Sequence, residues 1–244
     1  MTIEVKADLR DPIWRISNLY LIKDKRRQRV RLKFNRSQGR IVEAISLKLK
    51  AGRPIRQFDL KARQMGLTTF WGLLYLDDAI FRPNTVSAIQ AQKWESLLHI
   101  WDIVRFAHES MPSIMQPKLK QDNARTLAFP NGSKVFVSKQ VQSRGIHNLH
   151  ISEYPLCDEK EIEQTLAACP PWANITLEGV ASGMNHAYRT WQAGGDGIGR
   201  IIHPWFLQEE YRQPPAPGLE RTDEEVRVAE MARRGSSRIL RVSL

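Results

Sequence analysis

The sequence predicts an α/β fold whose central sheet is mostly parallel and carries an inserted antiparallel hairpin. Strand patterns alternate with helical patterns over most of the chain, which is typical of strands joined by helical crossovers. A strand, a polar turn and an apolar helix follow one another over residues 56–80. An Asn-Gly pair at residues 131–132 separates two short strand patterns, and such a pair indicates a hairpin turn.

The expected elements follow one another at short intervals. Alternating apolar residues predict one or two strands within 18–34, and looser helical spacing predicts a helix over 37–50 with Ser37 as its candidate N-cap. The strand at 56–62 then precedes the apolar helix at 67–80. Further strands are expected at 85–90, 126–129, 134–138, 148–152, 175–180 and 200–203, and further helices at 94–108, 159–168 and 185–192. Residues 1–17 lack such a pattern and are expected to form an arm.

Composition excludes several classes of protein. Apolar residues make up 42% of the 244 positions and charged residues 26%, which is ordinary for a globular chain and unlike a disordered or collagen-like one. No apolar run approaches the roughly 20 residues of a membrane-spanning helix, and no signal peptide is evident at the start. Cys157 and Cys169 form neither a disulfide framework nor a metal-binding spacing, so reduced thiols in a cytosolic protein are expected.

The net charge of +11 is concentrated near the start of the chain. Residues 1–56 contain 16 Lys and Arg against 5 Asp and Glu, whereas residues 57–244 contain 21 of each. Alternation at Arg29, Arg31 and Lys33 puts these charges on one side of a strand. A basic stripe of this kind suits a polyanion such as nucleic acid, and a solvated strand face is the alternative.

The turn at residues 63–66 has the setting of a phosphate-binding loop, in which backbone N–H groups and a helix N-terminus hold phosphates. The common pattern is G-x-x-x-x-G-K-[ST]. Gly66 and Thr68 match it, whereas Lys61 stands at the first glycine and Leu67 at the lysine. On this pattern alone, a purely structural loop is the simpler interpretation.

One residue can replace the missing lysine. Arg63 stands at the start of the turn, and a guanidinium binds phosphate through two parallel hydrogen bonds. The hydroxyl of Thr68 is a candidate ligand of Mg²⁺, and that of Thr69 a candidate contact to the α-phosphate. The residues therefore admit a nucleotide site despite the incomplete pattern.

The segment from Leu60 to Thr69 resembles the deviant Walker A motif of phage terminase large subunits, in which an early arginine takes the place of the lysine. Other segments resemble motifs of that family in the family's order, namely residues 131–135, 143–145, 149–153, 178–183 and 204–211. The resemblance covers roughly residues 18–215 and implies a P-loop NTPase domain of the ASCE type, a three-layer sandwich. Residues 1–17 would then be an N-terminal arm and residues 216–244 a linker or tail.

The resemblance also implies roles for individual residues. The implied ATP-binding residues are Gln38, Arg63, Gln64, Met65, Gly66, Leu67, Thr68 and Thr69. Glu153 is the implied catalytic base that orients water, and Ser152 stands where the family has an aspartate, so that it would meet Mg²⁺ directly or through water. Arg144 is the implied arginine finger, and Ser182 the residue that couples hydrolysis to movement. Ordinary loop or turn roles remain alternatives for Gln38, Arg144 and Ser182.

The activity implied by the resemblance is ATP hydrolysis that drives double-stranded DNA into a procapsid in the host cytoplasm. The implied partners are DNA, a portal protein, a small terminase subunit and further copies of the chain in a ring, with no membrane. The family's nuclease domain is not expected, because too few residues follow position 215. A catalytically silent nucleotide- or DNA-binding module, suggested by Leu67 and Ser152, and a helicase-like ATPase are the alternatives.

Overall fold

The computed structural model describes residues 8–141, 145–194 and 197–208. Its helices are α1 (Pro12–Asn18), α2 (Arg36–Lys50), α3 (Leu67–Phe81), α4 (Trp94–Glu109), α5 (Glu159–Ala167) and α6 (His186–Ala193). Its strands are β1 (Leu21–Lys23), β2 (Arg29–Arg31), β3 (Arg56–Lys61), β4 (Val86–Gln90), β5 (Gln121–Asp122), β6 (Thr126–Ala128), β7 (Lys134–Ser138), β8 (Asn148–Ile151), β9 (Asn174–Gly179) and β10 (Gly199–His203). Within the described ranges, no helix is long and apolar enough to cross a membrane.

The main sheet has the strand order β10-β3-β9-β8-β4-β7-β6-β5. Neighbouring strands from β10 to β7 run parallel, and β6 pairs antiparallel with both β7 and β5. The predicted mostly parallel sheet with an inserted hairpin is therefore confirmed. Strand β9 lies between β3 and β8, so the carboxyl ends of these three strands are side by side at one edge of the sheet.

One face of the main sheet is apolar. Side chains of β3, β4, β8 and β9 pack there with residues of α5 and α6 in a buried cluster. The members of this cluster include Phe58, Ala88, Leu149, Ile151, Ile162, Ile175, Leu177 and Ala187. This face supplies hydrophobic stabilisation in proportion to the apolar area that it removes from water.

The opposite face of the sheet carries polar side chains and is covered by α3. Asn148 of β8 donates a hydrogen bond to Asp78 of α3 at 2.7 Å, and Ser87 of β4 donates to the Tyr75 carbonyl at 3.1 Å. Helix α3 is apolar around most of its circumference and is buried, as expected for a helix in the interior of a domain. These polar groups at the sheet–helix contact are thus paired, which limits the cost of removing them from water.

Residues 12–18 differ from the expected arm, because they form helix α1 packed on α3. Arg15 makes a forked ion pair with the buried carboxylate of Asp77, its Nη2 lying 2.6 Å from Oδ2. Tyr20 donates to the other carboxylate oxygen at 2.9 Å. The helix is held by contacts to a residue more than 60 positions away, which a local pattern does not reveal.

Candidate functional site: a phosphate-loop cluster at the start of helix α3

The turn between β3 and α3 requires glycine at position 66. Gly66 has φ of 73°, in the left-handed region, and a Cβ added there would lie 2.9 Å from Nε2 of Gln38. Gln64 also has a positive φ, 56°. Left-handed residues outside glycine are uncommon and concentrate at functional sites. The turn is thus a tight, defined bend that opens directly into the N-terminus of a 15-residue helix.

Helix α2 braces this turn from outside. Its N-cap is Asn35, not the predicted Ser37, and a reciprocal capping box joins the backbone and side chains of Asn35 and Gln38. The same two amides also reach the turn. Asn35 Nδ2 donates to the Met65 carbonyl at 3.0 Å, and Gln38 Nε2 donates to the Gly66 carbonyl at 2.8 Å. Gln38 is 3% exposed, and its predicted contact with adenine stays a prediction.

The other predicted loop residues divide into anchors and exposed groups. Met65 and Leu67 are completely buried and fasten the turn to the core. Arg63 and Gln64 are exposed at the start of the turn, and Thr68 and Thr69 are partly buried. The polar side chains of the loop are therefore more exposed than its apolar ones.

Four side chains from three strands and α3 meet at the end of the loop. The Thr68 hydroxyl donates to Oε1 of Glu178, and the Ser152 hydroxyl donates to the same oxygen at 2.9 Å. Lys61 Nζ lies 3.1 Å from Oε2 of Glu178 and 3.2 Å from the Thr68 hydroxyl. We call Lys61, Thr68, Ser152 and Glu178 the phosphate-loop cluster.

Glu178 is completely buried, and its carboxyl group lies beside the ammonium group of Lys61. Burial raises the pKa of this carboxyl, but the charge of Lys61, the nearby His150 and the hydrogen bond from Thr68 outweigh burial and hold the pKa well below its usual range. Opposite charges and hydrogen bonds to the ionised form act in this direction. His150 Nε2 lies 3.5 Å from Oε1 of Glu178, and its Nδ1 is 3.0 Å from the Thr176 hydroxyl.

A second buried carboxylate, Asp59, occupies the neighbouring position on β3. Asp59 and Glu178 are partners in the register of the β3 and β9 pair. Asp59 accepts hydrogen bonds from Gln57 Nε2 at 3.0 Å and Trp71 Nε1 at 3.1 Å, and His203 Nε2 lies 3.1 Å from it. These three groups are themselves buried, so Asp59 belongs to a closed network below the loop.

Glu153, the predicted base, follows β8 in a strained conformation. Its φ is 56° and ψ is 33°, the left-handed region, at the start of a 3-10 turn over Tyr154–Leu156. Ser96 of α4 donates to its Oε2 at 2.9 Å. A non-glycine residue in this region costs of order 1 kcal/mol or more and is often retained for function. The strand end thus presents Ser152 to the cluster and Glu153 to the start of α4.

The remaining predicted site residues lie elsewhere. Ser182 is exposed in the segment between β9 and α6, and Arg144 lies outside the described residues. Lys61 and Glu178 belong to the cluster although the sequence does not single them out as site residues. The available signal for Glu178 is a charged residue inside the otherwise apolar or uncharged strand 174–179, because an ionised group is rarely buried without a partner.

No protein-family model and no curated protein matches the sequence. Solved structures match it at the level of the fold. The large terminase from a thermophilic bacteriophage superposes with a TM-score of 0.54 at 11% sequence identity, over 70% of this chain and 46% of that one. The Thermus phage P74-26 large terminase ATPase domain gives a TM-score of 0.51 at 13% identity, over 73% of this chain and 90% of that one. The fold is that of phage large-terminase ATPase domains.

The fold prediction, a P-loop NTPase sandwich, is therefore confirmed. A further structure of the first of these two terminases, in complex with ATP-gamma-S, has a TM-score of 0.51 at 10% identity, over 74% of this chain and 47% of that one. The present chain thus spans about half the length of that full terminase chain. In the part of this chain that the structure describes, no group of three or more His, Cys, Asp and Glu residues is placed to hold a metal ion.

Proposed function

We propose that this chain is the ATP-hydrolysing motor domain of a viral terminase large subunit, which drives double-stranded DNA into a procapsid. The observation that carries the proposal is the phosphate-loop cluster, where a hydroxyl, a buried carboxyl group and an ammonium group meet at the start of α3. Helix N-termini and tight glycine turns favour phosphate. Two terminase structures with this fold contain ATP-gamma-S and ADP, which supports ATP as the nucleotide.

In this proposal ATP binds along residues 63–69. Backbone N–H groups of the turn and the first turn of α3 face the phosphates, with Thr69 near the α-phosphate. Arg63, exposed at the start of the turn, supplies the cation that Leu67 cannot, and Lys61 adds a second cation beside Thr68. Gln38 reads the adenine, and its bond to the Gly66 carbonyl links the base to the loop.

The cluster also fits Mg²⁺. The hydroxyls of Thr68 and Ser152 both lie within hydrogen-bond distance of Glu178 Oε1. These three side chains offer hard oxygen groups, and Mg²⁺ prefers such ligands together with phosphate and water. Thr68 would hold the ion directly, and Ser152 would hold it directly or through water. When bound, Mg²⁺ neutralises charge that develops on the phosphate oxygens.

Hydrolysis needs a group that orients the attacking water. Glu153 takes this role, and its strained backbone at the strand end supports a position maintained for function. Arg144 stabilises the transferred phosphoryl group in a neighbouring subunit's site, as charge-stabilising arginines do. Ser182, which follows the strand that carries Glu178, couples the state of the nucleotide to movement of the following segment.

The basic first quarter of the chain supports contact with the DNA backbone. Arg29 and Arg31 are exposed on β2, and Val30 between them is half-buried. Lys23 lies opposite Arg29 in the register of the β1 and β2 hairpin, which adds a third positive charge beside them. Contacts to phosphate give affinity without reading sequence, which suits a translocating motor. A ring of copies of this chain, a portal protein and a small terminase subunit are the proposed partners, in the host cytoplasm.

A catalytically silent nucleotide- or DNA-binding module is the second candidate. Leu67 in place of the lysine and Ser152 in place of the aspartate favour it, because each removes a charge that phosphoryl transfer ordinarily uses. Binding of ATP with no turnover under any condition would support this module.

Phosphate release with Mg²⁺ and DNA, measured at several protein concentrations, tests the motor. We expect turnover per chain to rise with concentration, since the finger comes from a neighbour. Glu153→Gln should bind ATP as the wild type does and lose about 10²- to 10⁴-fold in turnover. Glu163→Gln, an exposed position on α5, is the matched control and should retain activity. Full turnover by Glu153→Gln would mean that another group orients the water.

A further inference from the structure

The Mg²⁺ site proposed above lacks an acid where one is expected. In P-loop NTPases the ion is held by the loop Ser or Thr and by an acid at the end of a nearby strand. Here the loop hydroxyl is that of Thr68, and the residue at the end of β8 is Ser152. A serine carries no charge, so the acid that balances the ion must come from elsewhere in the fold.

The acid that lies beside Thr68 comes from the next strand. Strands β8 and β9 pair with Ile151 opposite Leu177, so Ser152 and Glu178 are neighbours one residue further on. Glu178 Oε1 accepts hydrogen bonds from both the Thr68 and the Ser152 hydroxyls. Oε1 of Glu178 is thus in contact with both hydroxyl groups for which the sequence predicts a role at the ion.

We propose that Glu178 supplies the acidic group of the Mg²⁺ site, replacing an acid at position 152. The inference rests on the proposed function, because the ion arrives with ATP. Glu178 meets the requirements of the role: its carboxyl group pairs with Lys61, it is in contact with Thr68, and it lies at the carboxyl end of a parallel strand next to the loop. Ser152 becomes a positioning residue that holds Oε1 of Glu178 at 2.9 Å.

The ion pair with Lys61 stabilises the Glu178 carboxylate in the interior before the ion binds. An unpaired buried carboxylate is costly, and Lys61 Nζ lies 3.1 Å from its Oε2. Oε1 faces the two hydroxyls and, at 3.5 Å, His150, whereas Oε2 faces Lys61, so the two oxygens of Glu178 have separate partners. The ammonium group of Lys61 can therefore remain paired with Oε2 while Oε1 interacts with the ion or with a water molecule bound to it.

Asp59 provides the matched comparison for this role. It is equally buried and is the register partner of Glu178, but its contacts are Gln57, Trp71 and His203. None of these contacts belongs to the phosphate-loop cluster. Replacing Asp59 removes a buried carboxylate from the same layer without removing an oxygen from the proposed site.

The test measures metal binding separately from nucleotide binding. Calorimetry with ADP in EDTA reports the nucleotide alone, and electron paramagnetic resonance of Mn²⁺ with saturating ADP reports the metal. We expect Glu178→Gln to bind ADP in EDTA as the wild type does and to weaken Mn²⁺ binding about 10- to 100-fold, the usual effect of losing a carboxylate around a metal. Asp59→Asn should leave the affinity for Mn²⁺ unchanged.

A second variant keeps the test decisive if Glu178→Gln is poorly folded. The double variant S152D/E178Q restores a buried anion near Lys61 and moves the acid to β8, so it should fold and recover Mn²⁺ binding. Wild-type Mn²⁺ affinity in Glu178→Gln would overturn the proposal, and so would equal losses of ADP binding with and without metal, which indicate a structural brace. Absence of ADP binding by the wild type would instead refute the proposed function, before any variant is compared.

Discussion

Two buried carboxylates, Asp59 on β3 and Glu178 on β9, are side by side in the main sheet and differ in every contact. Asp59 is enclosed by Gln57, Trp71 and His203. Glu178 is enclosed by Thr68, Ser152, Lys61 and His150, of which Thr68 lies in the first turn of a helix that follows a tight glycine turn. Two acidic residues at the same depth therefore belong to a closed network in one case and to the start of α3 in the other.

Burial alone does not distinguish the two carboxyl groups, since both are completely buried. Each carboxylate has hydrogen-bond partners, as buried charges must. What distinguishes Glu178 is that its partners are a loop hydroxyl and a lysine at the carboxyl end of β3, where ligands of open α/β sheets bind. Asp59 lies two residues before that end, and its partners only connect β3 to α3 and β10.

The largest expected effect in this comparison comes from Lys61→Met. The substitution leaves the Glu178 charge buried without its ion-pair partner, and breaking such a pair costs about 3–5 kcal/mol. Denaturant unfolding at neutral pH measures the loss. The double variant K61M/E178Q removes both charges and should recover most of the stability. If Lys61→Met alone unfolds at the wild-type midpoint, the pair does not contribute as described.

A smaller effect is expected for Asp59→Asn. The amide offers one acceptor where the carboxylate offered two, so hydrogen bonds from Trp71 and Gln57 are weakened or lost, at a cost of about 1.5–3 kcal/mol for bonds to a charged group. Unfolding should shift accordingly, while ADP affinity stays at the wild-type value. A stable Asp59→Asn protein that no longer binds ADP would remove the distinction between the two carboxylates.

Much of the fold could be predicted from the sequence, because the elements depend on local pattern. The alternation of strands and helices, the hairpin around Asn131 and the strand, turn and helix of 56–80 all appear in the structure close to their expected bounds. Helix α1 and strand β5 were not predicted. Helix α1 has seven residues, with an N-cap at Asp11 followed by Pro12, and an ion pair between Arg15 and Asp77 joins it to α3. Strand β5 has only two residues, too few to show a period.

Less of the candidate site than of the fold could be predicted from the sequence. The positions of Gly66 and Thr68 follow from chain order, since they lie in one turn. The role of Glu178 depends on β9 being inserted between β3 and β8, which joins residues 110 positions apart. The sequence suggests a contact with adenine for Gln38. Its hydrogen bond to the Gly66 carbonyl could not be predicted, because this bond depends on how α2 packs on the loop. Arg144 lies outside the described residues, so its role stays a prediction.

Calorimetry of Mg-ATP binding to the wild type and to Arg63→Ala tests the proposed nucleotide site. We expect saturable binding by the wild type and none by Arg63→Ala, because in the proposed site the guanidinium replaces the absent loop lysine. Arg82→Ala, an exposed arginine at the opposite end of α3, should bind as the wild type does. Unchanged affinity in Arg63→Ala would contradict the role of that residue, and absence of wild-type binding at millimolar ATP would contradict the nucleotide site itself.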